Sequence, residues 1–341
     1  MKTIFGRLLA TLVVSFLMSD LAAAQSKVTI AIGGGACLCY LPTVLAKQLG
    51  EFDKAGLAVE LVDVKGGSDA LKAVIGGSAD VVSGYFDHCI NLAAKKQELQ
   101  AFVVYDRYPG LVLVVSPKHN GEITSIKDLA GKKVGVSAPG SSTDFFLKYS
   151  LKKAGLDPTS VSVIGVGVGA TAVAAMEQGQ IDAAVLLDPS VTALQGRHPD
   201  LRILSDTRTQ KDTLAVFGGE YPGGALYSGT AWVASHEKEA QALTNAIVNT
   251  LQWIHSHSPE DIMAKMPPEL VGKDKELYLA ALKSTIPMYS ETGKMDPKGA
   301  AAVLAVFSES SPEVAKANID VGRTYTNRFV DQANKVGTNA K

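Results

Sequence analysis

The sequence has no excess of positive charge and few of the residues that build metal centres. Its 341 residues include 33 Lys and Arg against 34 Asp and Glu, so the formal net charge is −1. Without a basic surface, nucleic acid is not expected as a partner. Only six His and three Cys residues are present. No catalytic set of nucleophile, base and orienting group can be assembled from motifs, and no metal or cofactor is expected.

Long hydrophobic runs are missing beyond the N-terminus. Lys2 and Arg7 precede an apolar run at residues 8–18, and three small residues, 22–24, follow it. This pattern is typical of a secretory signal peptide, and the run is too short to span a bilayer as a helix. We therefore expect cleavage after Ala24 and export to the periplasm, with a buried N-terminal helix as the alternative. The roughly 317 residues that remain suggest two domains.

Three cysteines in an exported protein raise the question of pairing. Cys37 and Cys39 lie in one loop, and Cys89 follows about fifty residues later. Because residues i and i+2 rarely bridge each other, the expected disulfide joins Cys89 to Cys37 or Cys39. A soft-metal site built from Cys-x-Cys and His88 is the alternative, and the scarcity of His disfavours it.

The chain contains a similar stretch twice. Residues 71–82 (LKAVIGGSADVV) recur as residues 173–184 (VAAMEQGQIDAA) with Gly and Asp in constant register. Both copies read as strand, glycine-containing loop, helix, turn and strand. This alternation predicts right-handed βαβ units, hence an α/β fold of two similar lobes, each with a mostly parallel sheet. The cleft between two such lobes is a natural site for a small ligand.

The predicted elements and domains follow from these patterns. The predicted strands are residues 28–32, 59–64, 80–83, 133–137, 160–166 and 182–187, and the predicted helices are residues 41–50, 69–76, 143–154 and 170–179. Pro-Gly segments mark two hinge crossovers between the lobes. Lobe one is expected to comprise residues 25–112 and 223–341, and lobe two residues 113–222. Helices in residues 237–334 are placed on lobe one, with an independent C-terminal helical domain as the alternative.

Four loops leave a predicted strand and enter a helix: residues 33–40, 66–68, 138–143 and 167–171. In an open α/β sheet, ligands bind beyond the carboxyl ends of the strands. Glycine lets a ligand approach the backbone, and a helix N-terminus holds an anion without a charged side chain. Each loop alone could be an ordinary helix cap or turn. Because the loops occur at equivalent positions in both copies of the repeat, an anion-binding cleft is the favoured interpretation.

The expected ligand-binding residues lie in these loops, at strand ends or in the first hinge. Aromatic rings at strand ends suggest a ligand with an organic body. Arg107 is expected to pair with the ligand or with a neighbouring carboxylate, and Asp188 to accept a ligand hydrogen bond or to shape its turn. The full set is Cys37, Leu38, Cys39, Tyr40, Gly67, Ser68, Tyr85, Phe86, Arg107, Ser141, Ser142, Thr143, Gly169, Ala170 and Asp188.

Four runs give the sequence a family resemblance: VTIAI (28–32), EFDKAGLAVEL (51–61), GGSDALKAVIGGSADV (66–81) and IKDLAGKKVGV (126–136). Together they resemble the nitrate/sulfonate/taurine-type periplasmic solute-binding proteins of ATP-binding-cassette (ABC) importers, over nearly all of the mature chain. The resemblance implies a type II periplasmic binding fold that closes on its ligand, with contacts at Ser68, Ser142, Thr143 and Gly169. It further implies a monomer that binds a small organic anion, a sulfonate or an aliphatic or aromatic carboxylate. The implied partner is an inner-membrane permease with its ATPase.

Two other function classes remain open at this point. Thiamin-pyrimidine synthases have the same lobed fold and use His and Cys, so that His88, Cys37 and Cys39 would be the residues of interest. The signal peptide argues against this enzyme class. A ligand sensor that docks to a membrane receptor would use the same closing motion.

Overall fold

The computed structural model describes residues 25–339, and their side chains up to residue 334. The expected signal peptide, residues 1–24, lies outside the described residues. Among the helices in the described range, none combines the length and the apolar character needed to cross a membrane.

Within residues 25–339, ten strands form two sheets. They are β1 Ser26–Ile32, β2 Leu57–Asp63, β3 Val81–Tyr85, β4 Leu99–Val104, β5 Val112–Val115, β6 Lys133–Val136, β7 Ser162–Gly165, β8 Ala183–Leu186, β9 Ile203–Asp206 and β10 Gly224–Gly229.

Sixteen α-helices of the described range surround the sheets. They are α1 Leu41–Gln48, α2 Glu51–Lys54, α3 Gly67–Ile75, α4 Asp87–Ala94, α5 Ser142–Lys153, α6 Ala170–Gln178, α7 Ser190–Arg197, α8 Gln210–Phe217, α9 Thr230–Ser235, α10 Glu237–Ser256, α11 Pro259–Lys265, α12 Pro268–Val271, α13 Lys275–Thr285, α14 Pro297–Ser310, α15 Pro312–Lys316 and α16 Arg328–Asn339. The 3-10 helices among these residues are Leu38–Tyr40, Pro117–His119, Ile126–Leu129, Ile286–Met288 and Val321–Arg323.

The two sheets have the same topology. Their strand orders are β2-β1-β3-β10-β4 and β7-β6-β8-β5-β9. In each sheet four strands run parallel, and the fourth in the order, β10 or β5, runs antiparallel to both neighbours. This confirms the α/β class and the two similar lobes. We call the first sheet with its helices lobe one and the second lobe two.

The antiparallel strand of each sheet arrives from the other lobe, which the repeat alone does not predict. β5 enters lobe two directly after the chain leaves β4 through residues 105–111. β10 enters lobe one after the chain leaves β9 through residues 207–223, which include α8. Two crossovers therefore connect the lobes, one on each pass of the chain.

Burial explains why the central strands are continuous apolar runs. All residues of β3 and β5 are buried, because helices cover both faces of a parallel-type sheet. The edge strand β7 is mostly exposed. Equivalent aspartates stabilise both sheets: Asp80 Oδ2 accepts a hydrogen bond from the Thr29 N–H at 2.8 Å, and Asp182 Oδ2 accepts one from the Lys133 N–H at 2.7 Å.

The C-terminal helices lie mainly against lobe one. α10 packs on α1 and α2 with the buried residues Leu243, Ile247 and Leu251. α14 packs on α4 and also reaches α5 of lobe two, and α13 packs on α7 of lobe two. These helices therefore contact both lobes beside the cleft.

Candidate functional site

The four predicted loops meet in pairs across the cleft. Residues 33–40 face residues 167–171: a Cβ added to Gly34 would lie 2.5 Å from Cγ2 of Val168. Residues 66–68 face residues 138–143: a Cβ on Gly66 would lie 3.0 Å from the Oγ atoms of Ser137 and Ser141. Side chains at these two glycines would push the lobes apart, so the glycines permit the close approach.

Hydrogen bonds join the lobes directly. The Ser68 N–H donates to Oγ of Ser141 at 3.0 Å, and Ser141 Oγ donates to Ser68 Oγ at 3.2 Å. The Leu38 N–H donates to the carbonyl oxygen of Asp188 at 2.9 Å. The structure therefore describes a closed conformation.

A buried carboxylate adds a third contact between the lobes. Ser142, the first residue of α5, donates through Oγ to Oδ1 of Asp87 at 2.7 Å. Tyr221, in the second crossover, donates through its hydroxyl to Oδ2 at 3.1 Å. Asp87 begins α4 and is completely buried. Burial raises the pKa of Asp87 to about 7, while the hydrogen bonds from Ser142 and Tyr221 act in the opposite direction.

A small cavity of about 10 Å³ remains between the loops. Its lining residues carry no charged side chain; they are Gly33, Cys37, Tyr40, Gly67, Tyr85, Leu111, Ser137, Ser141, Ser142, Thr143, Val168 and Leu187. This volume holds about one water molecule. A larger ligand therefore needs the lobes to open before it can enter, and they must lie further apart than in this structure while it is bound.

Two helices begin at the cavity. The first N–H groups of α3, at Gly67, and of α5, at Ser142, have no acceptor within their own helix. They carry the positive ends of the helix dipoles. Thr143 has a structural bond here, because its Oγ1 accepts from the Ser137 N–H at 3.0 Å. The cavity thus offers N–H donors and partial positive charge without a cationic side chain.

Tyr40 and Tyr85 form the aromatic part of the lining. Their rings meet edge to face with centroids 6.1 Å apart. The Tyr85 hydroxyl donates to the carbonyl of Pro109 in the first crossover. Within the described part of the chain, the Tyr40 hydroxyl has no hydrogen-bond partner, although the residue is only 4 % exposed. Burial, with smaller contributions from Asp87 and Asp106, raises the pKa of Tyr40, so the phenol stays protonated and can donate.

The structure brings about half of the predicted ligand residues to this cavity. Those that line it are Cys37, Tyr40, Gly67, Tyr85, Ser141, Ser142 and Thr143. Ser68 lies at its edge through the bond to Ser141, and Gly169 lies beside Ala36 of the first loop. Leu38, Cys39 and Asp188 line a neighbouring small cavity. Asp188 also caps α7, since its Oδ1 accepts from the backbone N–H and the hydroxyl of Thr192.

Three predicted residues lie elsewhere. Phe86 is buried in the core of lobe one, with its ring 6.4 Å from that of Tyr325. Ala170 is exposed at the start of α6. Arg107 is exposed at the first crossover and donates to the Pro287 carbonyl at 2.6 Å, outside the cavity. The predicted pairing of Arg107 with the ligand therefore has no support from its position.

Sequence reasoning missed other residues of the site. The cavity-lining residues outside the predicted set are Gly33, Leu111, Ser137, Val168 and Leu187. Gly33 and Val168 lie within predicted cleft loops, and Ser137, the last residue of a predicted strand, also had a readable signal, a hydroxyl at a strand end. Asp87 and Tyr221 escaped because their roles depend on contacts with distant segments.

The predicted disulfide between Cys89 and Cys37 or Cys39 is wrong. Cys37 and Cys39 bond to each other, with Cα atoms 5.1 Å apart, and Cys89 is free and buried. The 3-10 turn Leu38–Tyr40 folds the first loop so that the two cysteines meet. Cys89 lies on α4 in a different core cluster, with Phe86 and Ile90.

His88 is the other residue that the sequence singled out. It is completely buried, and neither ring nitrogen has a hydrogen-bond partner. Its Nε2 would lie 2.9 Å from a Cβ on Gly67. Burial lowers the pKa of His88 to about 4, so the ring is neutral. In the range that the structure covers, no group of three or more His, Cys, Asp or Glu side chains is placed to hold a metal ion.

Comparison with known proteins relates this fold and site to a protein family. Residues 40–262 match the model of the family described as NMT1/THI5 like. The chain belongs to the NMT1/THI5-like family. A solved structure from Bordetella bronchiseptica RB50 shares 41 % identity with a TM-score of 0.89, over 93 % of this chain and 99 % of that one. No curated protein matches the sequence.

More distant members of this fold have named ligands. The alkanesulfonate-binding protein SsuA from Xanthomonas axonopodis pv. citri, bound to MOPS, has a TM-score of 0.67 at 18 % identity, over 89 % of this chain and 99 % of that one. The periplasmic nitrate-binding protein NrtA from Synechocystis PCC 6803 has a TM-score of 0.64 at 15 % identity, over 91 % and 89 %. At these identities the similarity establishes the two-lobed periplasmic binding fold.

Proposed function

We propose that this protein is the exported solute-binding component of an ABC importer and that it captures a small organic anion between its lobes. The observation that carries the proposal is the meeting of four Gly- and hydroxyl-rich loops, two from each lobe, around a cavity at the starts of α3 and α5. The named ligands of SsuA and NrtA, a sulfonate and nitrate, agree with an anion. Export to the periplasm and delivery to a membrane permease follow from this role.

The cavity favours an anion because its lining offers N–H and O–H donors, although it contains no cationic side chain. N–H groups at two helix starts, together with hydroxyl groups, can hold a sulfonate or carboxylate group. Ser68, Ser141 and Ser142 already use their hydroxyls in bonds between the lobes. The phenol of Tyr40 is free to donate to a ligand. Tyr40 and Tyr85 would then contact the organic part of the anion.

Binding without turnover is the better account of this site. The two cysteines of the first loop are joined in a disulfide. His88 is neutral, and a hydroxyl nucleophile does not bond to either of its nitrogens. An acyl- or group-transfer centre would need such a nucleophile–base contact.

A panel of ligands tests the proposal. Thermal melting should shift upward with one or more of a set of sulfonates, nitrate, and aliphatic and aromatic carboxylates, because a ligand that binds only the folded state stabilises it. No shift with the anions, together with a shift by amines or sugars, would overturn it.

A hydroxyl deletion locates the site. Tyr40→Phe should weaken binding of the anion found by about ten- to a hundredfold in calorimetry, the usual effect of a lost hydrogen bond to a charged group. Tyr149→Phe is the matched control, because that hydroxyl donates to the Val216 carbonyl of α8 and does not line the cavity. Equal affinities for both variants would place the ligand away from Tyr40.

A further inference from the structure

Asp87 joins three parts of the molecule through one carboxyl group. It begins α4 in lobe one, accepts from Ser142 of lobe two and accepts from Tyr221 in the second crossover. The His88 backbone N–H provides a further hydrogen bond. The group is completely buried, and no cation is among the groups that set its pKa.

The surroundings of Asp87 do not supply a compensating charge. α4 packs against β4, α14 and α15. The charged residues of these three elements are Lys298, Glu309, Glu313 and Lys316, all exposed. α5, which contacts Asp87 through Ser142, adds the buried Asp144, bonded to Lys148 at 2.9 Å, and the exposed Lys152 and Lys153. Beside Tyr221 the charged residue is Glu220. The titratable groups that Asp87 influences are the buried phenols of Tyr40, Tyr85, Tyr221 and Tyr227 and the thiol of Cys89, and it raises the pKa of each. All of these groups are neutral when protonated.

Opening of the cleft would change this environment. Ser142 would move away with lobe two, and water would reach the carboxylate. A buried carboxylate without a cation is costly, whereas the same group in water is not. We propose that Asp87 becomes protonated when the lobes close as far as they do in this structure, so that the protein takes up a proton on closure. The inference rests on the closing motion of the proposed function but not on the ligand's identity.

The direction of the pH effect on closure follows from the pKa of Asp87 in the open and closed states. Burial places the pKa of Asp87 at about 7 in the closed state, against 3.8 for an ordinary Asp. Between these values the closed state binds more protons, so closure is favoured as the pH falls and loses this contribution as the pH rises through 7. At pH 6 closure would take up most of one proton, and Asp87 alone would strengthen closure by roughly tenfold between pH 8 and pH 6.

His88 is the one neighbour that would oppose this effect. Its ring packs near Phe145 of lobe two, with centroids 5.5 Å apart, and its pKa is lowered to about 4 by burial. If opening exposes the ring, closure releases a proton from it below about pH 6.5. The overall pH dependence of closure therefore contains contributions from both Asp87 and His88. The test must follow the titration of Asp87 itself.

Two variants provide ligand-free closed and open states. In Ser68→Cys/Ser141→Cys the new cysteines replace hydroxyls that are 3.2 Å apart across the cleft, and a disulfide between them locks the lobes closed. In Gly66→Trp the ring would occupy the space of Ser137, Ser141 and Ala138 and would wedge the lobes apart. Small-angle scattering checks that the locked variant is the more compact one.

The test measures the pH titration of the Asp87 carboxyl carbon by ¹³C NMR in both variants. The signal is assigned by its loss when Asp87→Asn is added to each variant. We expect a midpoint near pH 7 in the locked variant and near pH 4 in the wedged one. Equal midpoints in the two variants, or a locked midpoint near pH 4, would overturn the inference. Since no ligand is present, this result is separate from any failure of the anion panel.

Discussion

Gly33 and Gly67 pack backbone against backbone at the centre of the cleft. A Cβ on Gly33 would lie 2.7 Å from both the N and the Cα of Gly67. On its other side, Gly67 rests against the ring of His88. The first residue of α3 is therefore held between the first loop and α4, and neither glycine position has room for a side chain.

Gly33→Ala tests this packing. The added methyl group meets backbone atoms, which cannot rotate away, so we expect a loss of about 1–3 kcal/mol in the free energy of unfolding, as for other overpacked sites. Urea denaturation measures it. Gly121→Ala is the control, because a Cβ there has no atom within 4 Å. If the two variants are equally stable, the close approach of Gly33 to Gly67 is not real.

Ser141→Ala tests the bond between the lobes. The change leaves the buried Ser68 N–H without its acceptor, which should disfavour the closed state by about 1–3 kcal/mol. The expected result is weaker binding of the anion identified in the panel, or less compaction in small-angle scattering when that anion is added. Ser150→Ala, on the helix α5 that Ser141 precedes, is the control, since the Ser150 hydroxyl is buried without a partner in the described part of the chain. Similar behaviour of both variants would remove Ser141 from the closing contacts.

The cysteine pairing can be checked chemically. Alkylation of the denatured, unreduced protein should label Cys89 alone, because Cys37 and Cys39 are bonded to each other. In the native protein Cys89 should resist labelling, since it is buried and burial raises the pKa of its thiol. Peptide mass spectrometry identifies the site. A label on Cys37 or Cys39 with Cys89 protected would restore the pairing that the sequence suggested.

His88 should make the protein less stable in mild acid. Its pKa is lowered to about 4 in the folded protein, against 6.5 for an ordinary His, so the unfolded state binds more protons between these values. The contribution of His88 to the free energy of unfolding is therefore lost as the pH falls below 6.5, by about 2 kcal/mol at pH 5. His88→Leu has no such loss, so its melting temperature relative to the wild type should rise from pH 8 to pH 5.

An exposed histidine provides the comparison for that experiment. His236→Asn changes a residue on the surface, and we expect no comparable gain at pH 5. If His88→Leu and His236→Asn respond to pH in the same way, His88 is accessible to protons in the folded state.

The sequence determined the local parts of this protein. Apolar runs such as residues 133–137 become strands because they can be buried on both faces, and the observed strand, Lys133–Val136, differs by one residue. Glycine and hydroxyl residues at strand ends predicted the four cleft loops, because the carboxyl ends of parallel strands share one edge of a sheet. The internal repeat, residues 71–82 and 173–184, predicted two lobes with the same fold.

Only the tertiary structure decided the contacts between distant segments. The antiparallel strands β5 and β10 enter each sheet through crossovers, which no repeat encodes. Cys37 pairs with Cys39 because a 3-10 turn folds the loop, whereas separation in sequence argued for Cys89. Asp87 gains its role from Ser142 and Tyr221, which are 55 and 134 residues away. Such contacts depend on how the sheets and crossovers place whole lobes against each other, and a local pattern carries no record of that arrangement.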